Sequence, residues 1–598
     1  MASTGNNTLD LNVMIGEGDS LALQIWNMYT EWKSPRLVAE QRWAETKKYT
    51  FATSTKETTN AQNPWSNTVH RPKLYHIYNN LLVNTDFSLF PSRDWLEFES
   101  FDQQSNSKQK RDAATAYLRT KHRLSGFRKV MRDLISDWLL YGNCFAGVEY
   151  VTEYTKDEVT GEDRVSYIGP RPYRISPYDI VFNAVASSFK SSPKIVRIRK
   201  SMGELKKELK DNPGLNYDSS IVDKMIQDRD TLALDNYRFE PDAIKDLAFQ
   251  ADGYGSMADY YKSGYVLIHE FYGDIYDRQT GEFLENYVVT VADGRYLLRK
   301  EPLNTYSGKP NLFHSTWKQR PDNLWGFGPL DNLIGLQYRI NHLENARDDA
   351  FDQMLDPDMV FMGDPEIEQV GAATYYYFSE QGDAKPLSPD TTVLNANMQI
   401  QEFEQAMEAY AGAPGISVGI RSPGEKTKFE VGLLNNNADR VFEYQTNIFS
   451  DFVEDIVNAE LEEAKKNLVT SDVISILDPT FGVENFVKIT KEDLISNGKV
   501  VPVGARESAR KAKLAQQLQQ FYASGLQDPE VLQHFPSKKI GSMWADLLDF
   551  DKLYEPFGRI PERLEAQRLQ MSAQDMLKEE SMIDPTGMSE IPPNATQQ

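Results

Sequence analysis

Apolar positions change their period several times along the chain, and each change marks an element. From Ser20, the residues Leu21, Ile25, Met28, Trp32 and Leu37 keep approximate helical spacing with Pro35 interrupting, so two short helices are predicted with Ser20 as the first N-cap. A polar Thr/Asn-rich stretch at 52–63 follows, then a mixed aromatic and apolar segment beginning at Trp65, and SRDWLEFES has the look of a short strand. A second helical block is predicted from about Ser107 to Tyr141, stopped by Gly142 at the C′ position.

Residues 143–200 alternate as strands do, with CFAGVEYVTEY and RVSYIGPRPYRI separated by the polar turn KDEVTGED. Helical, charged patterns return over about 201–262, and strand patterns over Tyr265–Trp317, punctuated by Thr280-Gly281 and Asp293-Gly294 turns. The longest periodic stretches come next. Leu333, Leu336, Ile340, Leu343, Ala350 and Met354 define one apolar face of a helix from Pro329 to about Leu355. Val441, Ile448, Phe452, Ile456 and Leu461 do the same for a helix over about 428–467, and a third, basic at its start, runs over about 505–523. Together these elements define an α+β chain, mainly helical.

The 598 residues correspond to about four structural units at ~150 residues each. A formal net charge of −23, from 65 Lys+Arg against 88 Asp+Glu, argues against a protein that grips nucleic acid by broad phosphate neutralisation. Hydrophobic residues at 40% supply enough apolar surface for real cores. Cys144 is the only cysteine, which excludes an intramolecular disulfide and any Cys-rich metal site and suits a reducing compartment. The N-terminus lacks the pattern of a secretory signal and no run of ~18 apolar residues occurs, so a soluble chain with no membrane partner is expected.

Motifs for chemistry are weak. GIRSPGEKT at 419–427 departs from a phosphate-binding loop by one inserted residue, Glu425, which puts a carboxylate where cation and free N–H groups are needed. The stretch Trp325-Gly326-Phe327-Gly328 lacks the third glycine of a dinucleotide fingerprint and reads as a turn before the helix. His269-Glu270 has no second histidine at metalloprotease spacing, His70 and His76 have no ligand pattern, and Cys144 sits in an apolar context suited to packing. No catalytic residue, metal site or cofactor is assigned, and the chain is not expected to be an enzyme. One charge pattern does stand out: Glu344, Asp348, Asp352 and Asp356 recur every four residues, stacking four carboxylates on one helix face against Arg339 and Arg347. Such a stripe is either a solvated face or the lining of an aqueous space.

Several segments in order resemble a tailed-bacteriophage portal protein, the head-to-tail connector, and are most similar to those of short-tailed phages. WGFGPLDNLIGLQYRINHLENARDDAFDQMLDP at 325–357 resembles the portal stem helix, with its Gly-x-Gly-Pro-Leu start, Gln337 and Asn341. GISVGIRSPGEKTKFEV at 415–431 is similar to the stretch that opens the long wing helix of such portals. DLISDWLLYGNCFAGVEY with RISPYDIVFN, and WSNTVHRPKLYHIYNNL with SRDWLEF, resemble wing segments, and the likeness covers roughly residues 20–525.

The resemblance implies a ring-forming subunit of portal-type wing, stem, clip and crown architecture, usually dodecameric, placed at one capsid vertex of a virion assembled in the host cytoplasm. It implies an N-terminal wing over 1–240, stem helices over 241–355 around a β-rich clip at about 264–318, and a second part of the wing over 356–490. A crown over 491–555 and a C-terminal helix and disordered tail over 556–598 complete it. The antiparallel stem partner falls before about residue 262, and a channel loop within 376–398 includes Lys385, Pro386, Asp390 and Asn395. Arg506, Arg510, Lys511 and Lys513 would face packaged DNA from the crown, and the 344–356 stripe would line the channel. The implied partners are further copies of the chain, the terminase large subunit that carries the ATPase, the major capsid and scaffolding proteins, tail adaptors, and double-stranded DNA in transit. Another ring-forming virion or adaptor protein, or a cytoplasmic multidomain hydrolase, are the competing readings.

Overall fold

The structure, a computed structural model, describes residues 13–15, 21–51, 66–91, 95–100, 108–156, 163–211, 216–231, 243–250, 252, 256–257, 265–277, 282–305, 307–363, 365–370, 373–378, 381–387, 395–411, 428–468, 471–477, 484–490, 494 and 498–502. The chain divides into two units, 1–472 with 489–505, and 473–488 with 506–598. In the second unit the described backbone is 473–477 and 484–488, parts of two strands that pair with each other.

The first unit opens with β1 (Val13–Ile15), α1 (Leu21–Lys33) and α2 (Leu37–Phe51), the last two separated by a single 3-10 turn at Ser34–Arg36 around Pro35. Next come α3 (Lys73–Leu89), β2 (Leu96–Ser100), α4 (Lys108–Ser125) and α5 (Phe127–Leu140). The expected single helical block is thus two helices, because Gly126 adopts φ 71°, a left-handed conformation that ends α4. Gly142 has φ 68° just beyond α5, as its predicted role at the helix end requires.

Strands β3 (Asn143–Lys156) and β4 (Asp163–Ile175) form the predicted hairpin, followed by β5 (Ile180–Phe182), β6 (Lys194–Ser201), α6 (Met202–Asp211), α7 (Ser219–Thr231) and α8 (Ala243–Gln250). Then run β7 (Tyr265–Asp277), β8 (Phe283–Ala292), β9 (Tyr296–Pro302), β10 (Leu312–Thr316), β11 (Lys318–Arg320) and β12 (Asn323–Phe327). At the β8–β9 turn Asp293 and Gly294 both have positive φ, 49° and 65°, which is why that dipeptide marks a hairpin. The unit continues with α9 (Ile334–Leu355), β13 (Met359–Met362), β14 (Pro365–Val370), β15 (Ala373–Phe378), β16 (Asp383–Pro386), α10 (Ala396–Ala411) and α11 (Lys428–Asn467). Strands β17 (Ser471–Leu477), β18 (Glu484–Thr490) and β19 (Gly498–Pro502) end the described chain.

The largest sheet has the order β5-β6-β7-β8-β9, with β1 added in parallel along the part of β7 beyond β6. Alternate residues of β7 serve opposite faces. On one face, Ala22, Ile25 and Tyr29 of α1 pack on Val181, Ile195, Phe271, Ile275, Val289 and Val291. On the other, Leu205, Val222 and Met225 of α6 and α7 cover Val266, Ile268, Ala292 and Leu298. Full burial of each such side chain contributes about 1.5–3 kcal/mol, so this sandwich is a principal core. A second sheet, β10-β3-β4, packs against α11, whose Phe452, Ile456 and Leu461 are buried as their spacing predicts. Ile448 is half-buried, and Val441 lies outside the residues whose side chains are described.

One expectation is corrected. Of the described residues, 51% are helical and 32% lie in strands, so the protein is a mixed α/β chain and not a mainly helical one. The excess strand comes partly from 359–386, where 376–378 and 383–386 of the predicted loop region lie in paired strands. The strands also group across long stretches of sequence. The strands at 264–302 do not form a β region of their own; hydrogen bonds between β6 and β7 merge them with β5 and β6, while β10 pairs with β3. Helix α9 packs most extensively against α10, downstream in the chain, and also touches α2 and α3.

Candidate functional site

Helix α9 carries the charge stripe, and its geometry begins with the residues it buries. Of the predicted apolar face, Leu333, Ile340 and Ala350 are buried, but Leu336 and Leu343 are half-buried and Met354 is exposed, and the other buried positions are Gln337, Asn341 and Asn345. Three amides four residues apart form a ladder on one side of the helix. They read the backbone of an extended strap, residues 66–72, lying alongside. Gln337 accepts from the Leu74 N–H at 3.0 Å and donates to the Arg71 carbonyl at 2.6 Å. Asn345 accepts from the Val69 N–H at 2.7 Å and donates to the Val69 carbonyl at 2.9 Å, while the Arg71 N–H reaches Asn341 at 3.3 Å. Asp349 takes the Asn67 N–H at 2.6 Å and Asp352 the Asn67 side-chain amide at 2.8 Å. The ladder supplies what a neighbouring strand would, satisfying backbone groups that burial would otherwise strand.

The stripe itself is unevenly used. Glu344 is clasped by Arg347 at 2.7 Å and approached by Arg71 at 3.5 Å, leaving its side chain only 13% exposed. Asp348 shares Arg347 at 2.8 Å. Arg71 also pairs with Glu404 at 2.7 Å, so it bridges α9 to α10, and Lys73 at the start of α3 pairs with Glu408. Asp352 and Asp356 are exposed, followed by exposed Asp358, Glu366 and Glu368. The open negative charge therefore lies at the C-terminal end of α9 and beyond it. Lys385 and Pro386, expected in a loop, are instead in β16 opposite Val360 and Met359, and Asn395 sits at the start of α10. Asp390 lies outside the described residues, as do Arg506, Arg510, Lys511, Lys513 and the 419–427 segment.

The approach to α9 explains the Gly-x-Gly sequence. Trp325 to Phe327 form strand β12 and not a turn, and Gly326 and Gly328 press on the backbone around Gly142. A Cβ on Gly142 would stand 2.2 Å from the Phe327 carbonyl carbon, and one on Gly328 would stand 2.8 Å from the Leu139 oxygen. Buried Asn143 locks this crossing, donating to the Tyr141 carbonyl at 2.8 Å and accepting from the Gly326 N–H at 2.8 Å. Cys144 beside it is fully buried, and burial raises its thiol pKa well above the ordinary value, which suits packing and not nucleophilic attack.

Interior charges elsewhere are structural in their geometry. Arg174 grips Asp137 in two bonds of 2.5 and 2.7 Å, yet burial still pushes that carboxyl up to about 6. Burial works to raise Asp179, but Lys245, Arg197 and Arg199 around it pull it well below the usual carboxylate range. Lys194, with its amine on the Phe189 carbonyl at 2.7 Å, is pushed down to about 7 by burial. His269 and His314 are each pushed down to about 3, chiefly by burial. His269 packs edge-on between Trp26 and Tyr29, with ring centroids 5.0 and 4.6 Å away. Among the described residues no group of His, Cys, Asp and Glu is arranged to hold a metal ion, and no helix is long and apolar enough to cross a membrane. A scan against protein-family models and a search of curated proteins each find no match to this chain.

Proposed function

We propose that the chain is a portal protein, the subunit of a ring through which double-stranded DNA enters and leaves a phage capsid. The reading rests on the ordered segments at 65–98, 133–183, 325–357 and 415–431 that resemble portal sequences. The structural observation that supports it is the run of exposed carboxylates Asp352, Asp356 and Asp358 at the end of α9. Repeated around a ring, such a run gives an aqueous wall of like sign to the DNA. Phosphate affinity grows with each cation contact through counterion release, so a carboxylate wall lets duplex slide without being held. In this reading Asp348, Asp352 and Asp356 face the channel, and Glu344, neutralised by Arg347 and Arg71, anchors the wall to the subunit. The ring nucleates capsid assembly with scaffolding and major capsid proteins, docks the terminase whose ATPase drives packaging, and later receives tail adaptors. The chain itself performs no catalysis and belongs to the virion.

Electron microscopy of the purified chain tests the reading first: a rotationally symmetric ring is expected, with a central hole wide enough for duplex DNA. Replacing Asp352 and Asp356 together by lysine should leave the ring intact and slow or stall packaging in a reconstituted motor. A chain that stays monomeric, or a ring too narrow for duplex, overturns the portal reading.

A further inference from the structure

Strands β13 to β16 are the two halves of one bent hairpin arm. Met362 pairs with Asp383 and Pro365 with Phe378, so the β14–β15 ribbon continues the β13–β16 ribbon after a kink at Gly363, where φ is 107°. At ~3.3 Å per residue the arm from Met359 to Val370 is about 40 Å long. Among the described residues no third strand joins either ribbon, and a two-stranded ribbon alone in water is marginally stable. One side is partly covered by its own rings, with Phe361 5.0 Å from Tyr376 and 6.4 Å from Phe378. The other side is open and mixes apolar with acidic groups: Met362, Tyr375 and Tyr377 are 67%, 50% and 53% exposed, beside exposed Glu366 and Glu368.

A second surface has the reciprocal chemistry. Val83 and Phe87, one turn apart on the outer side of α3, are 40% and 70% exposed. Helix α5 places Arg128 and Arg132 beside them, both within 3.4 Å of Asp86, so two guanidinium groups share one carboxylate. Phe87 is 14 residues along α3 from Lys73, where the strap meets α9 and α10, a distance of about 20 Å at the helical rise.

We propose that the open face of the arm docks on the α3/α5 face of a second copy of this chain, with Tyr375, Tyr377 and Met362 covering Val83 and Phe87, and Glu366 and Glu368 meeting Arg128 and Arg132. Opposite charges across an otherwise apolar contact fix orientation and speed encounter. Because the two surfaces differ, the contact is head-to-tail, the kind that generates rings when the rotation closes. The inference deepens the ring reading above by naming which surfaces meet.

Light scattering of the full chain against concentration tests it. The wild type should exceed its monomer mass of 68.3 kDa. Glu366→Lys with Glu368→Lys, and separately Arg128→Glu with Arg132→Glu, should each raise the association midpoint by about tenfold or more, and the chain carrying all four changes should recover it. Circular dichroism checks that each variant folds. If reversal beside Asp86 unfolds the second variant, Phe87→Ser probes the same surface and should weaken association in its place. Variants that associate as the wild type does, or a monomeric wild type, overturn the proposal. A wide ring indifferent to these changes refutes the surfaces and leaves the portal reading standing, whereas a narrow ring dependent on them does the reverse.

Discussion

The two halves of α9 use the same residue types for opposite purposes. In the N-terminal half, Gln337, Asn341 and Asn345 are buried and their hydrogen bonds go to the strap or to one another. In the C-terminal half, Asp352 and Asp356 are exposed and Phe351 and Leu355 are 52% and 71% exposed. Polar side chains in the first half therefore hold the fold, since removing one leaves a buried backbone group without a partner. In the second half only Asp349 and Asp352 reach the strap, at Asn67, and the exposed Asp356 that follows remains available to another molecule. Function is better sought where the structure has not already used a group.

Substitutions can break this contrast, and the largest effect belongs to the ladder. Asn345→Leu should destabilise the first unit by about 2–4 kcal/mol, because the Val69 N–H and carbonyl both lose their partners. Urea unfolding measures the loss, and hydrogen exchange at Val69 should accelerate with it; a change within error refutes the clamp.

Acid tests the interior as a whole. His269 and His314 have pKa values depressed to about 3, so each favours its neutral form in the folded state. The stability this gives is present above the unfolded value near 6.5 and is lost as pH falls from there towards 3. Between pH 7 and pH 6 the two together should cost about 1.4 kcal/mol, and replacing both by glutamine should flatten the slope. A flat wild-type profile over that range contradicts the burial of both rings.

Arg347→Gln comes next, since the cation joins Glu344, Asp348 and Asn397 in partly exposed surroundings. A loss of about 0.5 kcal/mol, shrinking at high salt, is expected. Smallest of all is Asp356→Asn, which should leave the urea midpoint unchanged; a marked shift would place Asp356 with the ladder and erase the contrast.

Much of the fold can be read from local pattern. Helices α1, α2 and α11, the β3–β4 hairpin, the Gly142 stop and the Asp293-Gly294 turn all follow from periodicity and the φ preferences of glycine and aspartate. What escapes is burial without hydrophobicity. The 3.6-residue apolar pattern of α9 selects Leu336 and Leu343 and passes over Gln337 and Asn345, because nothing in the pattern shows that an extended strap some 270 residues earlier needs amide partners. The arm was hidden for a related reason: Pro386 looks like a loop residue, yet it stands at a strand end, where proline is tolerated. Pairing of β6 with β7 has no local signature at all, which is why one sheet looked like two regions.

The β2–β19 pairing has a consequence for how the protein is made. Leu96 to Ser100 pair with Gly498 to Pro502, joining residues some 400 positions apart. Trp95 and Phe98, beside and within that strand, are buried early in the chain's order but cannot receive their β partner until the ribosome has delivered nearly all of the first unit. At 5–20 residues per second that wait is about 20–80 s, during which β2 is an unpaired edge. Polar Glu97 and Glu99, alternating with the apolar positions of this strand, give the nascent chain a charged guard against premature association.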